Sequence, residues 1–323
     1  MKDDCDFLFY TSTSTSNSVI PYKIKNNKYN DVQRCNEYII KRGPKDILQG
    51  ELYYYQNIPE GIAIYFPKLY AYNTGIINRI DFTIDYIEGI PLYYMYKSAL
   101  LTHRHIDELF DILDILHSCE AEIIITRENV KNNYVKKLNN RFNRHDYYFE
   151  DAEDVFLDII ADIETNFSPV LSPVIHGDFW FSNIILINRS RESHESRQDN
   201  YKLIDMKGIV DGVLTLNGDI YYDYGKLYQS ILGYDLVLNN DHINKETSET
   251  RESRDSRDSR EYHEYIQSMS KYFLEKCHTK GLNTKYLKSV TKSLVFGTLP
   301  FITHLDADIK SNVWSFIKSI DIN

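Results

Sequence analysis

Along the 323-residue chain the apolar positions change period once. Over the first ~100 residues they fall in short β-branched and aromatic runs broken by polar turns, the pattern of half-buried strands. Residues 37–41 (EYIIK), 61–66 (GIAIYF) and 80–87 (IDFTIDYI) are predicted strands. Residues 46–56 (DILQGELYYYQ) lack strict alternation and are predicted to form a short helix stopped at Asn57-Ile58-Pro59. The predicted order is strand, helix, strand, strand. Beyond this region the period turns helical: Ile106, Leu109, Phe110, Leu113 and Leu116 share one face. Val155, Ile159 and Ile163 repeat that spacing, and residues 262–277, 284–296 and 309–320 also suit helices. The expected fold class is α+β, with a small strand-rich lobe at 1–90 and a larger, mainly helical lobe at 91–323.

Two polar tracts interrupt the larger lobe. Residues 173–187 and 201–205 are apolar stretches flanking the polar segment 188–200, as in a hairpin with an enlarged turn. Residues 244–261 contain the near-repeat RESRDSRDSRE, whose alternating charges offer no apolar face to bury. Both read as solvated insertions, with an exposed helix as the alternative for the second. Hydrophobic residues make up 42% and charged residues 26% of the chain, so disorder is expected to be local.

The formal net charge of −10 argues against an extended nucleic-acid surface, because phosphate binding needs clustered Lys and Arg. Cys5, Cys35, Cys119 and Cys277 lie far apart with no CxxC pair, which points to neither a zinc site nor a disulfide framework. No apolar run approaches the ~20 residues of a membrane span, and the acidic start is unlike a basic secretory leader. A cytoplasmic protein with no membrane and no nucleic-acid partner is expected.

The chemistry concentrates in HGDFWFSN. Asp178 lies two residues after His176, Asn183 lies five after Asp178, and Asp205 follows in LIDMKG. Phosphoryl transfer from ATP needs a carboxylate to orient the acceptor hydroxyl and oxygen ligands to hold a divalent metal on the phosphates. Asp178, in a loop after Val174 and Ile175, suits the first role. The Asn183 amide and the Asp205 carboxylate, at the ends of two facing strands, suit Mg²⁺. An HxD triplet alone would more often be a turn histidine and a capping aspartate; the ordered set with Asn183, Asp205 and Asp223 argues otherwise.

VIHGDFWFSNIIL, KLIDMKG and GDIYYDYGKLYQS together resemble the aminoglycoside phosphotransferase and choline kinase family over residues 174–230. The resemblance implies a two-lobed protein-kinase-like fold, ATP and Mg²⁺ as cofactors, and a small-molecule hydroxyl acceptor. It makes Asp178 the catalytic base, Asn183 and Asp205 the metal ligands, and His176 a loop-stabilising residue. Asp223, helped by Asp219, would brace the catalytic loop. Met206 and Lys207 depart from the aromatic-glycine pair common after the metal aspartate.

In the smaller lobe, EYIIK places Lys41 at a strand end, where its ammonium suits the ATP phosphates, with Glu51 as its ion-pair partner. Lys45 is the competing lysine. Residues 84–92 (IDYIEGIPL), with Asp85, Tyr86 and Ile87, resemble the connector whose backbone pairs with adenine. No GxGxxG loop is present; the Ser/Thr run 11–18 occupies the place of a phosphate-covering turn. His117 is expected to pack or cap, and His103, His105 and His145 lack metal-ligand spacing. Tyr221, Tyr222, Tyr224 and Tyr228 read as core residues more than as a stacking surface.

The expected function is an ATP- and Mg²⁺-dependent phosphotransferase acting on a small-molecule hydroxyl. A sugar or glycan precursor is the leading acceptor, because LIDMKG and GDIYYDYGKLYQS resemble relatives associated with surface-polysaccharide synthesis. Choline, another amino alcohol or an aminoglycoside is the alternative; the acidic balance of the chain suits a cation. An inactive kinase fold that binds nucleotide or protein is the alternative of another class.

Overall fold

The computed structural model of the chain describes residues 22–26, 31–187, 200–239, 255–302 and 305–322. The Ser/Thr run 11–18 and most of the two polar tracts lie outside the described residues.

Strands β1 (Tyr22–Asn26), β2 (Asp31–Cys35) and β3 (Tyr38–Pro44) pair antiparallel in succession. After helix α1 (Lys45–Asn57), strands β4 (Leu69–Asn73) and β5 (Arg79–Asp85) complete a five-stranded sheet of order β1-β2-β3-β5-β4. Strand β5 alternates cleanly, burying Ile80, Phe82 and Ile84. Lys41 sits opposite Phe82 in the ladder, so strand register alone sends its side chain to the buried face. Helix α1 lays Leu48, Leu52 and Tyr55 against that face, and Glu51 lies on the same stripe. Pro44, with its fixed φ of −58°, ends β3 and opens the helix.

The predicted strand at 61–66 is instead a 3₁₀ helix, Glu60–Tyr65. Pro59 and Pro67 bracket the segment, and its buried side chains, Ile62 and Tyr65, are three apart, the repeat of a 3₁₀ turn. Three strands therefore precede α1 and two follow it, in place of the predicted order.

The larger part begins with β6 (Ile90–Pro91), α2 (Leu92–Lys97), α3 (His103–His117), α4 (Arg127–Arg144) and α5 (Ala152–Asn166). The five apolar residues predicted on α3 are all fully buried. Helix α4 has no counterpart in the sequence reading; its polar composition hides a stripe of only Val130, Tyr134 and Leu138. Short strands β7 (Leu171–Ser172), β8 (Ile184–Leu186), β9 (Tyr201–Leu203), β10 (Ile209–Val210), β11 (Val213–Leu214) and β12 (Gly218–Asp219) form three small sheets. Strands β8 and β9 are the predicted hairpin. Helices α6 (Ile220–Ile231), α7 (Tyr234–Leu238), α8 (Asp255–Thr279), α9 (Thr284–Phe296) and α10 (Ala307–Ser319) close the molecule. Residues 255–261 of the second tract are thus helical. No helix of the described residues is long and apolar enough to cross a membrane.

Candidate active site

Residues 176–183 form a loop whose main chain is held by one face of α6. Asp223, fully buried, accepts hydrogen bonds from the N–H groups of His176 (2.8 Å) and Gly177 (2.7 Å). One turn on, the Lys226 ammonium lies 2.9 Å from a carboxylate oxygen of Asp178. Two turns on, the Ser230 hydroxyl accepts the Phe181 N–H at 3.1 Å. Positions i, i+3 and i+7 of a helix share a face, so this segment of α6 sets the path of the loop. From α3, His117 reaches the same Asp223 carboxylate at 3.1 Å. A buried carboxylate with three donors is satisfied where it stands.

His176 is fully buried, and burial lowers its pKa despite the nearby Asp223 and Asp178 carboxylates. Its Nδ1 accepts the Asp178 N–H at 3.1 Å, which assigns the proton of the neutral ring to Nε2. The imidazole thus shapes the turn in front of Asp178. Asn183 donates its amide N–H to both the Asp178 carbonyl (3.0 Å) and the Asp178 carboxylate (3.1 Å). That fixes which way the amide faces, with Oδ1 directed away from Asp178.

The β8–β9 hairpin then brings Asp205 to Asn183: Ile204 N–H donates to the Asn183 carbonyl at 3.0 Å. Asp205 has φ +61°, a left-handed conformation unusual for a residue with a side chain and one that recurs at functional sites. Its carboxylate is about half exposed, at 48%, and pairs with the Lys41 ammonium. Among the described residues no cluster of three or more His, Cys, Asp or Glu could hold a metal by itself. One carboxylate and one amide oxygen, both hard donors, fit Mg²⁺, which takes few protein ligands and completes its shell with water and phosphate.

Lys41 bridges Asp205 and Glu51, the latter at 2.6 Å. Burial alone would lower the Lys41 pKa, but Asp205 and Glu51 outweigh it and raise it above its usual value. Burial pushes Glu51 up to about 7, with Lys41 opposing and Asp205 adding to the rise. Lys45, the competing lysine, is exposed at the first position of α1. Next to Glu51, Gly50 lets α1 approach the segment after Asp205 at backbone distance. A Cβ on Gly50 would stand 2.2 Å from the Lys207 carbonyl oxygen, and one on Gly208 would stand 1.9 Å from the Gly50 carbonyl. The helix that carries Glu51 and the turn that carries Asp205 are in register because neither glycine has a side chain.

In the connector, the Asp85 carboxylate faces away from Lys41: it accepts from the Lys68 N–H (2.8 Å) and the Tyr70 hydroxyl (2.8 Å). The Tyr86 N–H is taken by the Glu37 carbonyl at 2.7 Å, and the Arg34 guanidinium covers its ring at 3.6 Å. Ile87 is the first connector residue beyond that ladder. Asp219 lies below the loop, fully buried at the start of α6. It accepts from Val170 N–H (3.0 Å), Tyr134 hydroxyl (3.1 Å) and Tyr286 hydroxyl (2.9 Å), and burial pushes it up to about 7 against those donors. Tyr221, Tyr222, Tyr224 and Tyr228 are all buried, as the core reading expects.

The sequence reading did not single out Lys226, Ser230 or Lys137, and it noted Lys207 only as a departure from pattern. One signal was available: Tyr222, Asp223, Lys226 and Ser230 recur at helical spacing in GDIYYDYGKLYQS, a polar stripe on a helix otherwise destined for burial.

No family model and no curated protein sequence matches the chain. Solved structures do match. Aminoglycoside phosphotransferase APH(4)-Ia aligns with a TM-score of 0.54 at 10% identity, covering 93% of both chains. Its thermostable mutant in apo form gives 0.53 at 10% identity, over 93% of this chain and 94% of that one. A mutant of the same enzyme in ternary complex with AMP-PNP and hygromycin B gives 0.54 at 9% identity, with the same coverage. At such identities the likeness is one of architecture, and the strand-rich lobe followed by a larger helical one accords with it. The chain has the two-lobed, protein-kinase-like fold of the aminoglycoside phosphotransferases.

Proposed function

We propose that the chain is an ATP- and Mg²⁺-dependent phosphotransferase acting on a hydroxyl of a small molecule, a sugar or glycan precursor. The observation that carries this reading is the Lys41 ammonium held between Glu51 and Asp205, together with an Asp178 carboxylate held by Lys226 and Asn183. A solved structure of like fold holds AMP-PNP together with hygromycin B, which accords with a nucleotide and a small acceptor bound together.

In this reading the acceptor hydroxyl donates its hydrogen bond to Asp178, which orients it and takes its proton as the new O–P bond forms. The bond from the γ-phosphorus to the bridging oxygen breaks, and ADP leaves with that electron pair. Lys41 contacts the nucleotide phosphates. Asn183 and Asp205 would hold Mg²⁺, which when bound neutralises phosphate charge. The connector at Asp85, Tyr86 and Ile87 borders the purine through its backbone. His176, Asp219 and Asp223 position the loop without touching substrate. A cytoplasmic setting, where ATP is supplied, suits this chemistry.

The test is ADP release by wild type, Asp178→Asn and Asp205→Ala over sugars, amino alcohols and aminoglycosides. Loss of about a thousandfold or more in both variants is expected, since base and metal effects of this size are typical. Equal rates in all three proteins would refute the reading. Nucleotide binding without turnover of any acceptor would favour the inactive nucleotide-binding module.

A further inference from the structure

Beside Asp178 the structure gathers positive charge apart from the Lys41, Glu51 and Asp205 group. Lys207 follows Asp205 by two residues, yet the two side chains part: Asp205 engages Lys41, while the Lys207 ammonium donates to the Tyr222 hydroxyl on α6 at 2.6 Å. Lys137, from α4, reaches the same hydroxyl at 3.5 Å. Lys226 lies one turn beyond Tyr222 on α6, and Arg141 one turn beyond Lys137 on α4. Arg141 is spent on the Gly297 carbonyl at 2.7 Å, and Lys226 on Asp178. Among the described residues neither Lys137 nor Lys207 has a carboxylate within 4.0 Å. Among the described residues Asp178 is the one carboxylate that the group contacts.

Two half-buried lysines sharing one phenol hydroxyl, with no carboxylate in reach, are better accommodated when an anion binds them. Burial, then Lys207, Arg141 and Lys226, lowers the Lys137 pKa well below its usual value. The same lysines overcome burial at Tyr222 and lower its hydroxyl as well. Both directions describe a cluster short of negative charge. Buried Tyr134 backs it, stacking on Tyr222 with centroids 5.8 Å apart, and the Trp180 ring lies 5.8 Å from the Lys226 ammonium.

We infer that the acceptor carries an anionic group, a carboxylate or a phosphate, that binds Lys137 and Lys207 while its hydroxyl faces Asp178. This inference rests on the phosphotransferase reading and narrows its acceptor to an anionic sugar, against choline or an aminoglycoside. Two lysine ammoniums and the Tyr222 hydroxyl supply the donors such a group needs.

Calorimetric titration of the full chain, first with AMP-PNP and Mg²⁺ and then with glucuronate, glucose 6-phosphate, glucose and choline, tests it. Glucuronate or glucose 6-phosphate is expected to bind at least tenfold more tightly than glucose, with choline weakest, and whichever is tighter distinguishes carboxylate from phosphate. Lys137→Met is expected to abolish that preference while leaving AMP-PNP affinity within about twofold. Equal binding of all four, preference for choline, or no binding by either anion overturns the inference. So does a Lys137→Met protein that loses AMP-PNP affinity instead, since the lysines would then serve the nucleotide. Failure of the wild type to bind AMP-PNP at all is the separate failure of the phosphotransferase reading itself.

Discussion

The Lys226 ammonium on α6 lies 2.9 Å from the Asp178 carboxylate, on the same helix face that holds the main chain of the loop through Asp223 and Ser230. In the proposed mechanism Lys226 would act by orienting Asp178. Lys226→Met is expected to lower kcat by about 10–100-fold, the scale of a misplaced reacting group. The KM for ATP should stay near wild type, and Lys226→Arg should recover part of the loss. A purely structural role would instead lower the folded fraction and leave kcat per folded molecule unchanged; steady-state ADP release on folded protein decides.

Asp223 accepts two buried backbone N–H groups and His117. Asp223→Ala leaves those donors without a partner and is expected to destabilise the fold by about 3–5 kcal/mol. Ser230→Ala removes the acceptor of the Phe181 N–H and a donor to the buried Asp235 carboxylate, and should cost less, about 1–3 kcal/mol. Urea unfolding checks the order; equal losses would contradict the placement of the loop on α6.

A methyl group at Gly50 collides with the Lys207 carbonyl, whereas Gly61 has nothing within 4 Å of its added Cβ. Gly50→Ala is expected to destabilise by about 1–3 kcal/mol, as overpacking does. It should also raise the KM for ATP, because α1 carries Glu51. Gly61→Ala should stay within about 0.5 kcal/mol of wild type. Thermal unfolding and ATP kinetics on the two variants compare them directly.

Asp219 titrates at about 7 when folded, above its ordinary 3.8. Between those values the folded chain binds the proton more tightly than the unfolded chain does, so this group's contribution to stability falls as pH rises from about 4 to about 7. Asp219→Asn cannot titrate. Its Tm relative to wild type should therefore climb across that window; a constant or falling difference would contradict the assignment.

Much of the larger part was legible because its helices carry a long apolar period. The α3 stripe from Ile106 to Leu116 is all core, and 284–296 is helical over its full predicted length. The segment 61–66 misled because six residues hold too few turns to separate a strand from a 3₁₀ helix, and only the bracketing Pro59 and Pro67 spoke for the latter. Asp178, Asn183 and Asp205 could be proposed from spacing, as could Asp223, since each sits in a short motif of fixed order. Lys226 left only the faint trace of a polar stripe on α6, and Lys137 left none, because what makes it notable is proximity across helices. The chain's net charge of −10 suited a cationic acceptor, while the side chains gathered around Tyr222 and Lys226 are locally cationic. A whole-chain charge averages over surfaces that never meet the substrate.

The convergence of Lys41, Asn183 and Asp205 on a metal-bound nucleotide is tested most directly by AMP-PNP affinity, measured with Mg²⁺ and again with EDTA, in wild type and in Asp205→Asn. The proposed site predicts that Mg²⁺ tightens binding to the wild type by about tenfold or more, and that Asp205→Asn loses most of that gain. Equal affinity with and without Mg²⁺, or a full Mg²⁺ effect in Asp205→Asn, would contradict it.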